Sequence, residues 1–165
     1  MSILKTYARL WTDSLDSALP LLTELTGVQP DLRLAFHSVE LAAIGDFLVI
    51  AGPADERAKY AHASATVVVE DLDALATTLK AADATITTPT TSGPTGRFLY
   101  ARHADGAEVE YVEWVPELVR RLIHQGSLAR TTPRTTSGKA EPERGAAFRA
   151  PWGERGGAHR TARVS

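Results

Sequence analysis

The sequence contains no cysteine among its 165 residues, which excludes a disulfide framework, a thiolate nucleophile and a cysteine-based zinc site. It also lacks an apolar run of about 18 residues, so no segment is predicted to span a membrane. The first residues lack the long apolar core of a signal peptide. With 44% apolar residues, we expect one globular, cytoplasmic domain with a hydrophobic core.

Positive charge is scarce in most of the chain and concentrated near its end. Residues 1–126 hold 10 Lys or Arg and 17 Asp or Glu, a net charge of −7, whereas residues 127–165 hold 8 and 3, a net charge of +5. An acidic body argues against nucleic acid as a partner. The basic tail is rich in Gly, Pro, Arg, Ser and Thr, a composition typical of disordered segments that can contact phosphate or an acidic surface.

A weak internal repeat is the strongest organisational signal. Leu15 and Leu72 are 57 residues apart, and so are Asp16 and Asp73. Each copy has a short apolar strand, a helix start of the Asp-Leu-Asp kind, an amphipathic helix and further strands. Because a fixed period is the signature of repeated structural modules, we expect two βαβββ modules that together form one site.

The individual elements follow from capping and breaking residues. A helix is predicted from about Ser14 to Thr26, with its start delayed to near Ser17 because Pro20 disrupts a helix interior. A second helix is predicted to begin after the cap residue Asp71, and the stretch from Pro89 to Gly96 is predicted to be a loop. The predicted organisation is a domain at 1–115, with modules at about 3–52 and 61–115, a short helix at 116–126 and a basic low-complexity tail at 127–165.

Two motifs resemble the vicinal oxygen chelate superfamily, which includes glyoxalase I, bleomycin-resistance proteins and extradiol dioxygenases. The first is Asp71-Leu72-Asp73-Ala74-Leu75 after a strand. The second is the hairpin from Arg102 to Val112, with the sequence RHADGAEVEYV. With the repeat, the resemblance covers about residues 3–115. It implies an α+β fold in which the two modules curl into a cup-shaped mixed sheet, and it implies a homodimer.

The resemblance also implies where a metal would be held, since the superfamily's enzymes take one ligand from the first and one from the last strand of each module. These positions fall on Tyr7, Ile50, Ser64 and Glu110. Only Glu110 is a typical ligand, and a divalent ion needs several nitrogen or oxygen donors to replace its water shell. A shifted register brings His62 towards Glu110 and still supplies only two good donors. We therefore expect no metal cofactor.

Strand alternation predicts which side chains face the cup, because successive residues of a strand point to opposite faces. The pattern gives aromatic walls with one guanidinium and two carboxylates, which is typical of small-molecule pockets. The predicted ligand-binding residues are Tyr7, Arg9, Trp11, Ser64, Thr66, Glu108 and Glu110.

Arg9 and Glu110 are the predicted polar pair of the cup, since a buried guanidinium needs a carboxylate partner. The pair is either a structural ion pair or a site for a ligand carboxylate or amine. Glu110 is also the candidate catalytic residue, as a general acid or base.

These features favour a metal-free protein that binds a small molecule in the cup. The alternative is a lyase, isomerase or dioxygenase that uses a metal or Glu110 as acid and base. A third hypothesis is a non-catalytic interaction module whose basic tail, residues 127–165, contacts a partner. The homodimer is expected from the superfamily resemblance, since two-module cups often pair edge to edge and an uncovered strand edge favours pairing.

Overall fold

The computed structural model describes residues 2–125, which form one eight-stranded mixed sheet with helices. The strands are β1 (Ile3–Thr12), β2 (Leu32–Phe36), β3 (Val39–Ile44), β4 (Phe47–Ala51), β5 (Ala65–Val69), β6 (Thr85–Gly93), β7 (Gly96–Arg102) and β8 (Glu108–Trp114). The helices are α1 (Leu15–Thr26), α2 (Ala54–Ala58), α3 (Leu72–Ala81) and α4 (Pro116–Leu118), and α4 continues as a π-helical segment, Val119–Gln125. None of the helices in this part of the chain is long and apolar enough to cross a membrane.

The strand order is β2-β3-β4-β1-β5-β8-β7-β6. In each module the first strand pairs in parallel with the last, β1 with β4 and β5 with β8. The two first strands pair antiparallel at the centre, where Tyr7 lies opposite Thr66. The predicted α+β fold with two βαβββ modules in a cup-shaped sheet is therefore confirmed. The predicted tail, residues 127–165, lies outside the described residues.

The repeat period reappears in the helices. Leu15 and Leu72 are the first residues of α1 and α3, and both are fully buried against the sheet. Asp71 caps α3 by accepting hydrogen bonds from the backbone N–H groups of Asp73 and Ala74. Ser14, one period earlier, makes no such bond through its side chain. The two helices therefore begin at equivalent positions of the repeat, but only α3 has a side-chain cap.

The expected late start of α1 is wrong. The helix begins at Leu15 and contains Pro20. Proline at this position removes one backbone hydrogen bond, whereas burial of Leu15 and Leu22 against β3 and β4 favours the full helix. Packing of the apolar stripe therefore outweighs the local effect of proline, as is common for helices in proteins.

The predicted loop from Pro89 to Gly96 is also wrong in extent, because β6 continues to Gly93 and only two residues join it to β7. Threonine favours strands, and β6 is an edge strand, where Pro89 is tolerated. Gly96 has a φ of +146°, and a Cβ atom there would collide with the carbonyl oxygen of Glu113. The tight hairpin thus requires glycine at this position.

Helices α1 and α3 pack on one face of the sheet, over two separate apolar clusters. A third cluster lies on the opposite face and includes Tyr7, Val112 and Trp114. Leu122 of the π-helical segment is buried in this third cluster. The π-helical segment that follows α4 therefore covers part of the concave face. The segment between the modules contains the short helix α2.

Candidate functional site

The concave face of the sheet holds a largely apolar cavity with about 570 Å³ of atom-free space, part of it open to solvent. Strands from both modules contribute to its walls. Its lining residues are Tyr7, Leu32, Leu34, Phe36, Leu41, Leu48, Thr66, Gly93, Pro94, Thr95, Phe98, Glu110, Val112 and Trp114. Apolar walls with a few polar groups are the usual composition of a small-molecule site.

A smaller inner lobe continues from this cavity and contains about 280 Å³ of atom-free space. The two lobes share Phe36, Leu41, Leu48 and Glu110. The inner lobe adds Arg9, Val39, Ile50, Tyr60 and Tyr100. Among the described residues that line the two lobes, Arg9 and Glu110 carry the only charges.

The floor between the lobes is a hydrogen-bonded network, which we call the floor network and define as Arg9, Thr66, Tyr100 and Glu110. Arg9 Nη2 lies 2.7 Å from Glu110 Oε2 and 3.3 Å from the Tyr100 hydroxyl, and Arg9 Nε donates to Thr66 Oγ1 at 3.0 Å. The hydroxyls of Thr66 and Tyr100 donate to Glu110 Oε2 and Oε1, at 2.7 and 2.9 Å. Every member of the network thus contacts at least two others.

The topology explains why these residues meet. Arg9 and Thr66 are one repeat period apart, on the two central strands. Their neighbours on the parallel strands are Leu48 and Glu110, respectively. Tyr100 lies directly opposite Glu110 in the β7–β8 hairpin. The network therefore joins the two modules, with Arg9 from the first module and the other three residues from the second.

The electrostatics of the floor network follow from its burial. Burial by itself lowers the pKa of the Arg9 guanidinium, but Glu110 and the Tyr100 hydroxyl more than offset this and raise that pKa. Burial, followed by the charge of Glu110, raises the pKa of Tyr100 well above its usual value. Arg9 is therefore charged and Tyr100 is a neutral hydrogen bond donor across the physiological pH range.

The two charges differ in accessibility. The Arg9 side chain is 3% exposed and the Glu110 side chain is 15% exposed. Arg9 Nη1 is directed to the backbone carbonyl of Tyr60, at 2.8 Å, in the segment that joins the modules. The carboxylate therefore lies nearer to the cavity space than the guanidinium does.

Four of the predicted site residues line the cavity or its inner lobe: Tyr7, Arg9, Thr66 and Glu110. Trp11 is half-buried, with its ring 6.0 Å from the Arg9 guanidinium carbon, and does not line either lobe. Ser64 is exposed, precedes β5, and donates a hydrogen bond to the backbone carbonyl of Glu108.

Glu108 belongs to a second polar cluster, at the edge of the cup. Its carboxylate accepts hydrogen bonds from Thr87 at 2.5 Å and from Arg102 at 2.9 Å, and it lies 3.6 Å from His62 Nε2. The hydrogen bond from Thr87, and after it the contact with Arg102, lowers the pKa of Glu108. The ring of His62 also contacts the ring of Tyr100, so the cluster adjoins the floor network.

Sequence reasoning missed Tyr60, Phe36, Phe98 and Tyr100 as site residues. The Ala104-Asp105-Gly106 turn predicts the hairpin register, and that register pairs Tyr100 with Glu110, so a signal for Tyr100 was present. Tyr60 contributes through its backbone carbonyl, a contact that no residue pattern reveals.

The site does not fit the metal implied by the superfamily resemblance. Among residues 2–125 no group of three or more His, Asp or Glu side chains is arranged to hold a metal ion. Of the four positions carried over, Ile50 is an apolar lining residue and Ser64 points to a backbone carbonyl. At the centre of the floor the carboxylate of Glu110 is instead paired with the guanidinium of Arg9, which has no lone pair to offer a metal.

Comparisons with known proteins agree with the fold. No protein-family model matches the chain, and no curated protein sequence matches it significantly. Among solved structures, the chain is 35% identical to an uncharacterized protein from Methanosarcina mazei over 70% of this chain and 95% of that one, with a TM-score of 0.67.

Two more distant structures are methylmalonyl-CoA epimerases. The one from Mycobacterium tuberculosis is 17% identical, with a TM-score of 0.58, and the match covers 71% of this chain and 92% of that one. The one from Streptomyces coelicolor, in complex with 2-nitronate-propionyl-CoA, is 14% identical, with a TM-score of 0.55, and the match covers 70% and 97%. At this identity the likeness concerns the fold. The chain thus has the glyoxalase fold of the vicinal oxygen chelate superfamily and belongs to the same family as the Methanosarcina mazei protein.

Proposed function

We propose that the protein binds a small, largely apolar molecule in the cavity on the concave face of the sheet, without a metal ion. The observation that carries the proposal is the cavity itself, with aromatic and aliphatic walls over a floor whose charges are paired with each other. Burial of apolar ligand surface is the main source of affinity available there, at about 25 cal/mol per Å².

Absence of a resident metal is part of this proposal, and the chemistry of the floor supports it. Arg9 supplies a permanent positive charge beside Glu110, and both oxygens of that carboxylate already accept hydrogen bonds. A divalent ion would have to displace the guanidinium and would gain one good ligand. Metal analysis of purified protein, before and after incubation with Zn²⁺, Mn²⁺, Co²⁺, Ni²⁺ or Fe²⁺, should therefore find far less than one equivalent.

Binding is tested with N-phenyl-1-naphthylamine, a neutral probe whose fluorescence increases in apolar surroundings. We expect a saturable increase with one site per chain. Leu34→Trp should abolish it, because Leu34 lines the cavity and the larger ring would fill the space. The matched control is Ala35→Trp, since Ala35 is the next residue of the same strand and is exposed. Equal binding by both variants, or no saturable binding by the native protein, would overturn the proposal.

A catalytic function is the second candidate, and it is favoured by the contact of Glu110 with both lobes. A carboxylate in such a position is suited to move a proton on a bound substrate, and two proteins of the same fold are methylmalonyl-CoA epimerases. The test is hydrogen–deuterium exchange at the methine of methylmalonyl-CoA in D₂O, followed by NMR. Exchange that is lost in Glu110→Gln supports catalysis, and no exchange above the protein-free rate favours binding alone.

A second copy of this chain is the proposed protein partner. The sheet ends in two edge strands, β2 and β6, and unpaired edges favour association. The molar mass in solution, measured by light scattering, should correspond to two chains. A mass of one chain at micromolar concentration would refute the dimer and would leave the ligand site unaffected.

A further inference from the structure

The floor network has a consequence for ligand selection, which rests on the binding function proposed above. Its hydroxyl hydrogens are already committed, since both Thr66 and Tyr100 donate to Glu110. Four N–H groups of Arg9 are committed in the same way, to Thr66, Tyr60, Tyr100 and Glu110. The hydrogen-bonding capacity left at the floor therefore consists mainly of lone pairs.

The carboxylate of Glu110 carries most of this remaining capacity. A carboxylate has about four acceptor sites, and three donors from the network occupy part of them. Glu110 contacts both lobes and is the more exposed member of its ion pair. A ligand that reaches the floor thus meets an acceptor first.

Charge further narrows the class of ligand. Among residues 2–125, those that line the main lobe include no Lys, Arg or His. The side-chain hydrogen bond donors of this lining, such as Thr95 and the indole of Trp114, are neutral. An anionic ligand would lose its hydration without a cationic partner, which is unfavourable. A cationic ligand would lie close to the Arg9 guanidinium, only 2.7 Å from the carboxylate it would need.

We infer that the cavity selects a neutral, largely apolar molecule that donates a hydrogen bond, such as an alcohol, phenol or amide, and that it rejects carboxylates and phosphates. The donated hydrogen bond goes to Glu110. This ligand class differs from the carboxylate or amine predicted from the sequence. The structure directs the guanidinium of Arg9 inward, to Tyr60, Thr66 and Glu110, so that it is turned away from a ligand carboxylate and neutralises the carboxylate that an amine would need.

The test is competition against N-phenyl-1-naphthylamine by four naphthalenes of similar size at neutral pH. 2-Naphthol has a donor and no charge, 2-methoxynaphthalene lacks the donor, 2-naphthoate is an anion, and 2-naphthylmethylamine is a cation. We expect 2-naphthol to bind at least about ten-fold more tightly than the ether, the usual effect of one hydrogen bond to a charged group. We expect the two ions to bind more weakly than 2-naphthol by a similar factor.

Two variants locate the preference. In Arg9→Met/Glu110→Leu both 2-naphthol and the ether should bind, and the preference between them should fall to less than about three-fold, since the acceptor is gone. Glu113→Gln is the matched control on the same strand, because Glu113 pairs with Arg97 outside both lobes. It should keep the native ranking.

The outcomes separate this inference from the proposed function. If none of the naphthalenes and no neutral probe binds, the binding function itself is wrong. If the probes bind but 2-naphthoate or 2-methoxynaphthalene equals 2-naphthol, the cavity is a binding site and the inferred ligand class is wrong. The ranking on the native protein decides this even if the double variant does not fold.

Discussion

Removing the guanidinium of Arg9 should destabilise the protein far more than removing a comparable surface guanidinium. Arg9→Met keeps most of the side-chain volume but leaves Glu110 in a floor where its side chain is only 15% exposed. Breaking a buried ion pair by deleting one partner typically costs about 3–5 kcal/mol. That is a large fraction of the roughly 5–15 kcal/mol that stabilises a whole domain.

The matched control is Arg97→Met, on strand β7, which pairs with the strand β8 that carries Glu110. Arg97 pairs with Glu113 at 2.9 Å and with Asp73 at 3.1 Å, at distances similar to those at the floor, but its side chain is 41% exposed. Because solvent screens such pairs, this variant should lose much less stability than Arg9→Met. Urea unfolding at neutral pH, followed by far-UV circular dichroism, gives both free energies of unfolding.

The double variant Arg9→Met/Glu110→Leu completes the experiment. Replacing both charges with apolar groups removes the unpaired carboxylate and leaves the hydroxyls of Thr66 and Tyr100 without that acceptor. We expect the double variant to be at least about 2 kcal/mol more stable than Arg9→Met alone, since an apolar replacement of a buried pair is often tolerated. Equal losses of stability for Arg9→Met and Arg97→Met would refute the reasoning, and so would a double variant that is no more stable than Arg9→Met alone.

Three further predictions concern stability, and each is measured by denaturant unfolding. Asp71→Ala should lose about 1 kcal/mol because the cap of α3 is removed, whereas Ser14→Ala, at the equivalent position of α1, should change little because its side chain makes no capping bond; equal losses would contradict this. Gly96→Ala should be strongly destabilising and Gly106→Ala much less so. A Cβ atom at Gly96 would collide with the backbone of Glu113, whereas at Gly106 it would meet open space. Similar losses would show that the positive φ at both positions, and not the collision, sets the loss of stability. The pKa of Glu108 is lowered in the folded state, so its contribution to the free energy of unfolding is present above its unfolded pKa of about 4.3 and is lost as pH falls further. In Glu108→Gln the free energy of unfolding should therefore fall less steeply below about pH 4 than in the native protein. The same pH dependence in both proteins would refute the assignment.

The sequence predicted the two modules because equivalent residues recur at a constant spacing of 57 positions. Leu15 and Leu72 mark both helix starts, and Asp71 was identified as a cap from its chemistry alone. Local rules were less successful where packing competes with them. Helix α1 begins at Leu15 rather than near Ser17 although it contains Pro20, and the threonine-rich stretch that contains Pro89 is an edge strand rather than a loop.

The candidate site was predictable in part. Alternation placed Arg9, Thr66 and Glu110 on one face of the sheet, and the structure joins them by hydrogen bonds. The alternation of side chains along a strand did not reveal which of the residues on this face lie at the cavity and which lie beyond its rim. Ser64 and Trp11 share the parity of these residues, yet they line neither lobe of the cavity.

The sequence alone therefore determined the fold class, the two modules and the residue types available to the cup, because these depend on periodicity, capping and composition. Only the tertiary structure decided which groups meet. Strand register across modules brings a guanidinium from one repeat against a hydroxyl and a carboxylate from the other, and curvature of the sheet sets which of them faces the cavity. Such contacts between residues 57 to 101 positions apart depend on chain geometry, which no local pattern records.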